Sequence, residues 1–242
     1  MKNLIRNMIC FFLLSLFSVS CFSKNESVVL MYHRISYLKI DMNTTPDLFE
    51  SQMKYLKDNN YNVVSAVDLV DAIKNKKYLP PKSVVITFDD GWASQKTAMA
   101  ILKKYNYPAM FSLITEYQTF ANKAYLSRKD VKENESGKFI IVNHSHTHFV
   151  KDFLKVPYND VKISKQQMAE TTDKFIPIYV YPYGKKNYAL LDALDKNGYQ
   201  AGFGVYGHPV DVKNANIFNI NRYLMNDKVD IKAFEKIVEK SS

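Results

Sequence analysis

Cysteine is nearly missing from this chain. Of its 242 residues only Cys10 and Cys21 carry a thiol, both near the N-terminus, so the body of the chain is built without a disulfide. A domain of about 220 residues buries enough apolar surface to stand without one, even in an oxidising compartment. Long apolar runs are missing too: Met8–Val19 is a dozen residues, short of the roughly 20 that span a bilayer core. There is no internal repeat and no low-complexity segment, and the lysines are scattered rather than gathered into an arginine-rich patch interleaved with aromatics, which argues against nucleic acid as a partner.

What the N-terminus does have is order. Lys2 and Arg6 precede the apolar run, and small or polar residues follow it at Ser20–Ser23, the pattern of a secretory signal. The expectation is a signal over residues 1–23 and a mature domain over 24–242, placed beyond the inner membrane in the periplasm, at the envelope or outside the cell. Cys21, after Ser18-Val19-Ser20, offers a second outcome: acylation there would tether the chain instead of releasing it. Loss of Lys2 and Arg6 with the signal takes the net charge from +9 to +7, a basic surface suited to peripheral association with anionic envelope polymers or headgroups.

Downstream, buried-strand runs alternate with amphipathic helices. Ser27–Tyr32, Tyr61–Val64, Val84–Phe88, Ala109–Ile114, Phe139–Val142, Ile178–Tyr181, Tyr199–Phe203 and Ile217–Ile220 read as strands. Helices are predicted between them: one capped at Thr45-Pro46-Asp47, then Ser65–Ile73, Ser94–Tyr105, Ser127–Asn134, Tyr158–Phe175 and Asn187–Asn197 ending at Gly198. Strands apolar on both faces imply a parallel sheet covered by helices. Seven or eight such units predict an α/β fold of the barrel type, with an open doubly wound sheet as the alternative. In both, functional groups collect at the C-terminal ends of strands.

Two strand ends carry chemistry. Val84–Phe88 runs into Asp89-Asp90-Gly91-Trp92. Adjacent carboxylates at a sheet mouth repel and raise one another's pKa, a cost that a bound cation or a proton-transfer role offsets. Taken alone, the pair fits that reading and the N-cap of a following helix equally. Phe139–Val142 ends in Asn143-His144-Ser145-His146-Thr147-His148, with three of the five histidines in five residues. Two imidazoles and one carboxylate suit zinc and leave a coordination position open.

Thr87-Phe88-Asp89-Asp90-Gly91 followed by His144-Ser145-x-x-His148 resembles the first two motifs of the polysaccharide deacetylases, the group that shares the NodB homology domain (carbohydrate esterase family 4). Leu30-Met31-Tyr32-His33-Arg34, Phe49-x-x-Gln52-Met53-x-x-Leu56 and Leu79-Pro80 resemble the branch that deacetylates poly-N-acetylglucosamine. The resemblance covers nearly all of residues 24–242 and implies a distorted (β/α) barrel. It implies a metal triad of Asp90, His144 and His148, holding zinc or another divalent ion such as cobalt, with Asp89 as catalytic base. His146 is left as a spare, beside the metal or structural. Tyr181-Pro182-Tyr183-Gly184 is similar to the family's Pro-Tyr motif, in which the Tyr183 backbone N–H stabilises an oxyanion and Pro182 borders the substrate.

The implied reaction is hydrolysis of an acetamide on an N-acetylated sugar, in an envelope or biofilm polymer such as poly-N-acetylglucosamine. Peptidoglycan, chitin oligomers, a lipid-linked N-acetylsugar and a non-catalytic sugar-binding role are the alternatives. Two family features are absent. No late Leu-x-x-x-His supplies the acid, which leaves His208 in Tyr206-Gly207-His208-Pro209 as the first candidate and His33, at the first strand end, as the next. No arginine precedes Pro182, so Arg222 is expected to take over its contact with the base. Trp92, the single tryptophan, is a candidate to stack on a sugar ring.

Overall fold

The computed structural model describes residues 25–119, 122–148 and 157–241. The expected signal, with Cys10 and Cys21, lies outside them. In chain order the elements are β1 (Glu26–Tyr32), β2 (Arg34–Ile35), β3 (Asn43–Thr44), α1 (Pro46–Asp58), β4 (Asn62–Val63), α2 (Ala66–Asn75), β5 (Ser83–Phe88), α3 (Gln95–Tyr105), β6 (Ala109–Leu113), α4 (Thr115–Thr119), α5 (Arg128–Asn134) and β7 (Phe139–Asn143). They continue with α6 (Pro157–Thr171), β8 (Ile178–Val180), α7 (Tyr188–Lys196), β9 (Ala201–Phe203), β10 (Val210–Asp211), β11 (Tyr223–Leu224) and α8 (Ile231–Val238).

One sheet runs β10-β1-β5-β6-β7-β8-β9, with β4 paired to the start of β5 and β11 to the end of β1. Strand neighbours are parallel except for β10, which runs antiparallel to β1. The sheet curls on itself. Ile220 bridges to Phe203 of β9 in parallel, and four residues later Leu224 pairs with Met31 of β1, so a single segment touches both ends of the strand series. The result is a distorted barrel, not the open doubly wound sheet.

The central strands are mostly apolar because both their faces are covered. Val28, Leu30 and Tyr32 of β1 and Val84, Ile86 and Phe88 of β5 pack outward on α1, α3 and α8 through Phe49, Met53, Leu102 and Phe234. The alternate residues Val29, Val85, Met110 and Val142 pack with Leu69 and Ile73 of α2. Burying each such side chain contributes about 1.5–3 kcal/mol.

Local signals explain most helix starts. Ser65 and Ser127 each form a reciprocal capping box, with Asp68 and Asp130 respectively. Thr45 departs from expectation: its side chain makes no cap bond to α1, and its backbone N–H is instead taken by Asp227 at 2.7 Å. The expected strand at Ile217–Ile220 shrinks to the one bridge at Ile220, because the closing segment must leave β9 and reach β1 within a few residues.

Candidate active site at the strand ends

β1, β5, β7 and β8 deliver their C-terminal ends to one cleft of about 700 Å³, whose walls include His33, Asp89, Asp90, His144, His148 and Tyr183. Asp89 and Asp90 are consecutive yet differently placed. Asp89 continues the strand, donating its backbone N–H to Tyr32 O at 2.9 Å. Asp90 leaves it: its φ is +73° and that of Gly91 is +75°. A side chain at Gly91 would meet Leu113 Cδ2 at 2.7 Å, so only glycine serves at that turn.

The Asp89 carboxylate is buried and closed in. Arg222 grips it with two parallel bonds, Nη1 to Oδ1 and Nη2 to Oδ2, both 2.7 Å, and Ser112 Oγ donates to Oδ1 at 2.8 Å. Arg222 is itself buried, and it also donates from Nε to Gly204 O (2.7 Å) and from Nη1 to Thr87 Oγ1 (3.1 Å). Burial pushes the Asp89 pKa up, but the charge of Arg222, helped by His144, overcomes it and holds the group well below the usual carboxylate range.

Asp90 is the opposite case. Trp92 Nε1 donates to its Oδ2 at 2.8 Å, while Oδ1 is buried without a hydrogen-bond partner. The Nε2 atoms of His144 and His148 lie 3.4 and 3.5 Å from that same oxygen, and the three ligand atoms fall within 4.8 Å of one another. His144 Nδ1–H donates to Val180 O at 2.8 Å, which turns the Nε2 lone pair toward Asp90. With both imidazoles neutral, their Nε2 lone pairs and the carboxylate oxygen repel, an arrangement that a proton on His144 or a divalent cation relieves. The residues therefore fit a metal.

Positive charge is what this corner demands. Burial raises the Asp90 pKa, yet His144 outweighs it and brings the value down to about 2. Burial disfavours the His144 imidazolium, but Asp89 and Asp90 raise its pKa overall. His148 goes the other way, down to about 4, through burial and the charge of His144. Asp89 does raise the Asp90 pKa, as expected of adjacent carboxylates, and the net shift of both is downward because Arg222 and the histidines outweigh that repulsion.

His146 does not join the cluster. Its Nδ1 lies 3.1 Å from Thr115 Oγ1, because β7 ends at Asn143 and the following loop turns at Ser145 (φ +72°) and His148 (φ +49°). Asp160 of α6 holds that loop, accepting from the backbone N–H of His146 (2.9 Å) and of Thr147 (3.0 Å) and from Thr147 Oγ1 (2.9 Å). Sequence reasoning missed Asp160, as it missed Ser112. An acid in the first turn of a helix reads as an ordinary dipole partner, and a serine inside a strand as filler.

Pro182–Gly184 forms a single 3₁₀ turn after β8, with Tyr183 left-handed at φ 56°, ψ 16°. Gly184 is required there: a Cβ would stand 2.4 Å from Val205 Cγ2. The half-exposed Tyr183 ring lies 4.7 Å from the His148 ring. His33 sits in the cleft with Nδ1 buried and unpartnered. Burial lowers its pKa against the pull of Asp89 and Asp90. His208 is exposed and does not line the cleft, although its neighbour Gly207 does. The faces of Trp92 are taken. The Arg34 guanidinium lies 3.4 Å from its ring centroid and Tyr125 stacks at 4.2 Å, and two flat groups that close must occupy opposite faces. Trp92 is therefore no stacking platform for a sugar.

Comparison with known proteins agrees with this geometry. The family model for polysaccharide deacetylase matches residues 76–202, a stretch that holds Asp89, Asp90, His144, His148 and Tyr183 and leaves out His33, His208 and Arg222. Over 248 residues the chain is 27% identical to the poly-β-1,6-N-acetyl-D-glucosamine N-deacetylase of Staphylococcus epidermidis, covering 90% of this chain and 84% of that one. The Streptococcus pyogenes deacetylase PplD, solved in complex with acetate, superposes with a TM-score of 0.80 at 23% identity over 88% of this chain and 98% of that one. A polysaccharide deacetylase from Bacillus cereus superposes at 0.74 with 25% identity, over 88% and 69% of the two chains.

Proposed function

This chain belongs to the polysaccharide deacetylase family, and from that premise we propose that it is a metal-dependent hydrolase of acetamide groups on a β-linked N-acetylglucosamine polymer of the poly-β-1,6 type. The observation that carries the reading is the unpartnered Asp90 Oδ1 facing two imidazole nitrogens, one residue away from a carboxylate that an arginine keeps ionised. The polymer type rests on the staphylococcal relative.

Asp90, His144 and His148 would hold zinc, or cobalt, which supplies Lewis acidity toward the acetamide carbonyl oxygen and the attacking water. The remaining steps belong to the protein. Asp89 receives the water's proton as the water oxygen bonds to the carbonyl carbon. Its Oδ2 has a single partner, Arg222 Nη2, and keeps a lone pair for this, while Arg222 fixes the rotamer. The Tyr183 N–H, presented by the turn that Pro182 begins, donates to the oxyanion, an interaction worth about 3 kcal/mol in comparable sites. As the C–N bond breaks, a proton must reach the departing nitrogen; His33, which burial keeps neutral at rest, relays the one that Asp89 took from the water, leaving an amine on the sugar and free acetate. His33 takes this role over His208 because it lines the cleft with the other groups.

Residues 1–23 are a secretory signal in this reading, and the enzyme works beyond the inner membrane, either released or held to the envelope by its basic surface or an acylated Cys21. Among the described residues no helix is long and apolar enough to cross a membrane. Mass spectrometry of the mature N-terminus distinguishes Lys24 from lipidated Cys21.

The direct test is acetate release from β-1,6-linked and β-1,4-linked N-acetylglucosamine oligomers, with and without zinc. Zinc-dependent release from the β-1,6 series is expected. Equal release from both series would refute the polymer assignment, and a wild type that binds no divalent metal would refute the mechanism.

A further inference from the structure

The single tryptophan of the chain is not used as a sugar contact, since both its faces are covered, yet its one polar atom is aimed with care. Trp92 Nε1–H donates to Asp90 Oδ2 at 2.8 Å, the oxygen turned away from the histidine pair. A carboxylate's last torsion is soft and nearly two-fold, so the Asp90 backbone alone does not decide which oxygen meets His144 and His148. A donor on Oδ2 decides it: it pins that oxygen and leaves Oδ1 alone before the two Nε2 atoms.

The donor is itself immobilised. Arg34 of β2 covers one face of the indole at 3.4 Å and Tyr125 the other at 4.2 Å. Tyr117 stacks in turn on Tyr125 at 4.4 Å. The backbone is zipped beneath this stack: Ala93 N–H donates to Ala124 O, and Leu126 N–H to Gly91 O, both at 2.8 Å. An arginine over an aromatic face and offset stacking each add stabilisation beyond area burial. Elements distant in sequence thus converge on the orientation of one N–H.

We propose that Trp92 is a positioning residue for the metal site. Through Nε1–H it fixes Asp90 as a one-oxygen ligand, and the Arg34–Trp92–Tyr125–Tyr117 stack serves to hold that N–H in place. The inference rests on the reading of Asp90, His144 and His148 as metal ligands. It differs from a packing role in one respect: the ring N–H matters, not only the ring.

That difference is testable because residue 92 is the only tryptophan. Growth on the benzothienyl analogue of tryptophan, which replaces the ring N–H by sulfur at nearly unchanged shape, alters this site alone. Zinc affinity is measured by chelator competition at fixed pH for wild type, the analogue-substituted protein, Trp92→Phe and His144→Ala, with the melting temperature of each metal-free protein recorded beside it. Partners behind metal ligands are typically worth 10–100-fold in affinity. The analogue protein is expected to bind zinc more weakly by about that factor while its metal-free melting temperature stays at the wild-type value. Wild-type zinc affinity in the analogue protein would overturn the proposal whatever Trp92→Phe does to folding. Failure of the wild type to bind zinc, or retained binding in His144→Ala, would instead overturn the metal-site reading beneath it.

Discussion

Asp89 and Asp90 are neighbours in sequence and opposites in surroundings. On the Asp89 side the protein supplies its own partners: a buried arginine binds both oxygens, a serine donates to one of them, and the backbone N–H stays in the strand ladder. On the Asp90 side one oxygen is left buried and bare before two histidine nitrogens. Buried polar atoms are almost always paired, so the contrast separates a group that the fold completes from one that a ligand completes. It also shows how one φ above zero sends two adjacent acids to different tasks.

The largest effect comes from breaking the finished side. Arg222→Met leaves the Asp89 charge buried and unpaired, at a cost of about 3–5 kcal/mol in stability, and deacetylation should fall to background. The sign with pH is set by the depressed pKa of Asp89. A carboxylate held below its unfolded value of about 4 contributes stability that is fully present above that pH and is lost as pH falls through the folded value. Without Arg222, burial raises the Asp89 pKa instead, so the gap in melting temperature between wild type and Arg222→Met should be widest at high pH and close on acidification, as first the variant's and then the wild type's Asp89 takes up a proton. A gap that persists unchanged at pH 3 would deny that the ion pair is its source.

Next in size is a pair of substitutions that divides chemistry from binding. Asp89→Asn should lower kcat roughly 10³-fold, within the usual range for a proton-transfer group, while zinc affinity stays within a few-fold. His144→Ala should lose both. Calorimetry with zinc beside the acetate assay checks this, and equal loss of zinc binding in the two variants would erase the division between the two sides.

A smaller effect separates the two candidate acids. His33→Ala is expected to reduce kcat roughly 10²-fold, and His208→Ala to leave it within twofold, since His208 is exposed outside the cleft. The reverse ranking would return the acid to the late loop.

Much of this is legible in the sequence, and the limits are physical. Runs rich in β-branched and apolar residues at Val84–Phe88 and Phe139–Val142 announce strands covered on both faces, and the residues just past the C-terminal end of such a strand lie at a sheet mouth. That logic brings Asp89, Asp90, His144 and His148 together before any contact is known. It stops where a role depends on approach from elsewhere in the chain. Arg222 reaches Asp89 across 133 positions, and only family likeness points to it. Asp160 reaches back to the histidine loop from a helix, with no local pattern to mark it. The stack on Trp92 joins Arg34, Tyr117 and Tyr125 from three segments, so an indole that reads as a sugar platform is covered. The closing strand escapes the sequence for a related reason: Tyr223–Leu224 is defined by its pairing to β1, not by its own composition.

His146 gives the mildest and sharpest test of how far alternation can be trusted. In an extended chain residues 144, 146 and 148 share one face, and that period places His146 beside the metal ligands. The period ends with β7 at Asn143. Beyond it, Ser145 and His148 have positive φ, and the His146 ring meets Thr115 instead. What His146 gives the site is its backbone N–H to Asp160, which alanine retains. His146→Ala should therefore change zinc affinity less than about threefold, whereas Asp160→Asn, which weakens the charge-assisted bonds holding the loop, should change it more. A His146→Ala loss as large as that of His144→Ala would mean that the loop swings to bring a third imidazole in, and that strand-like alternation describes the working site better than the turn at Ser145 does.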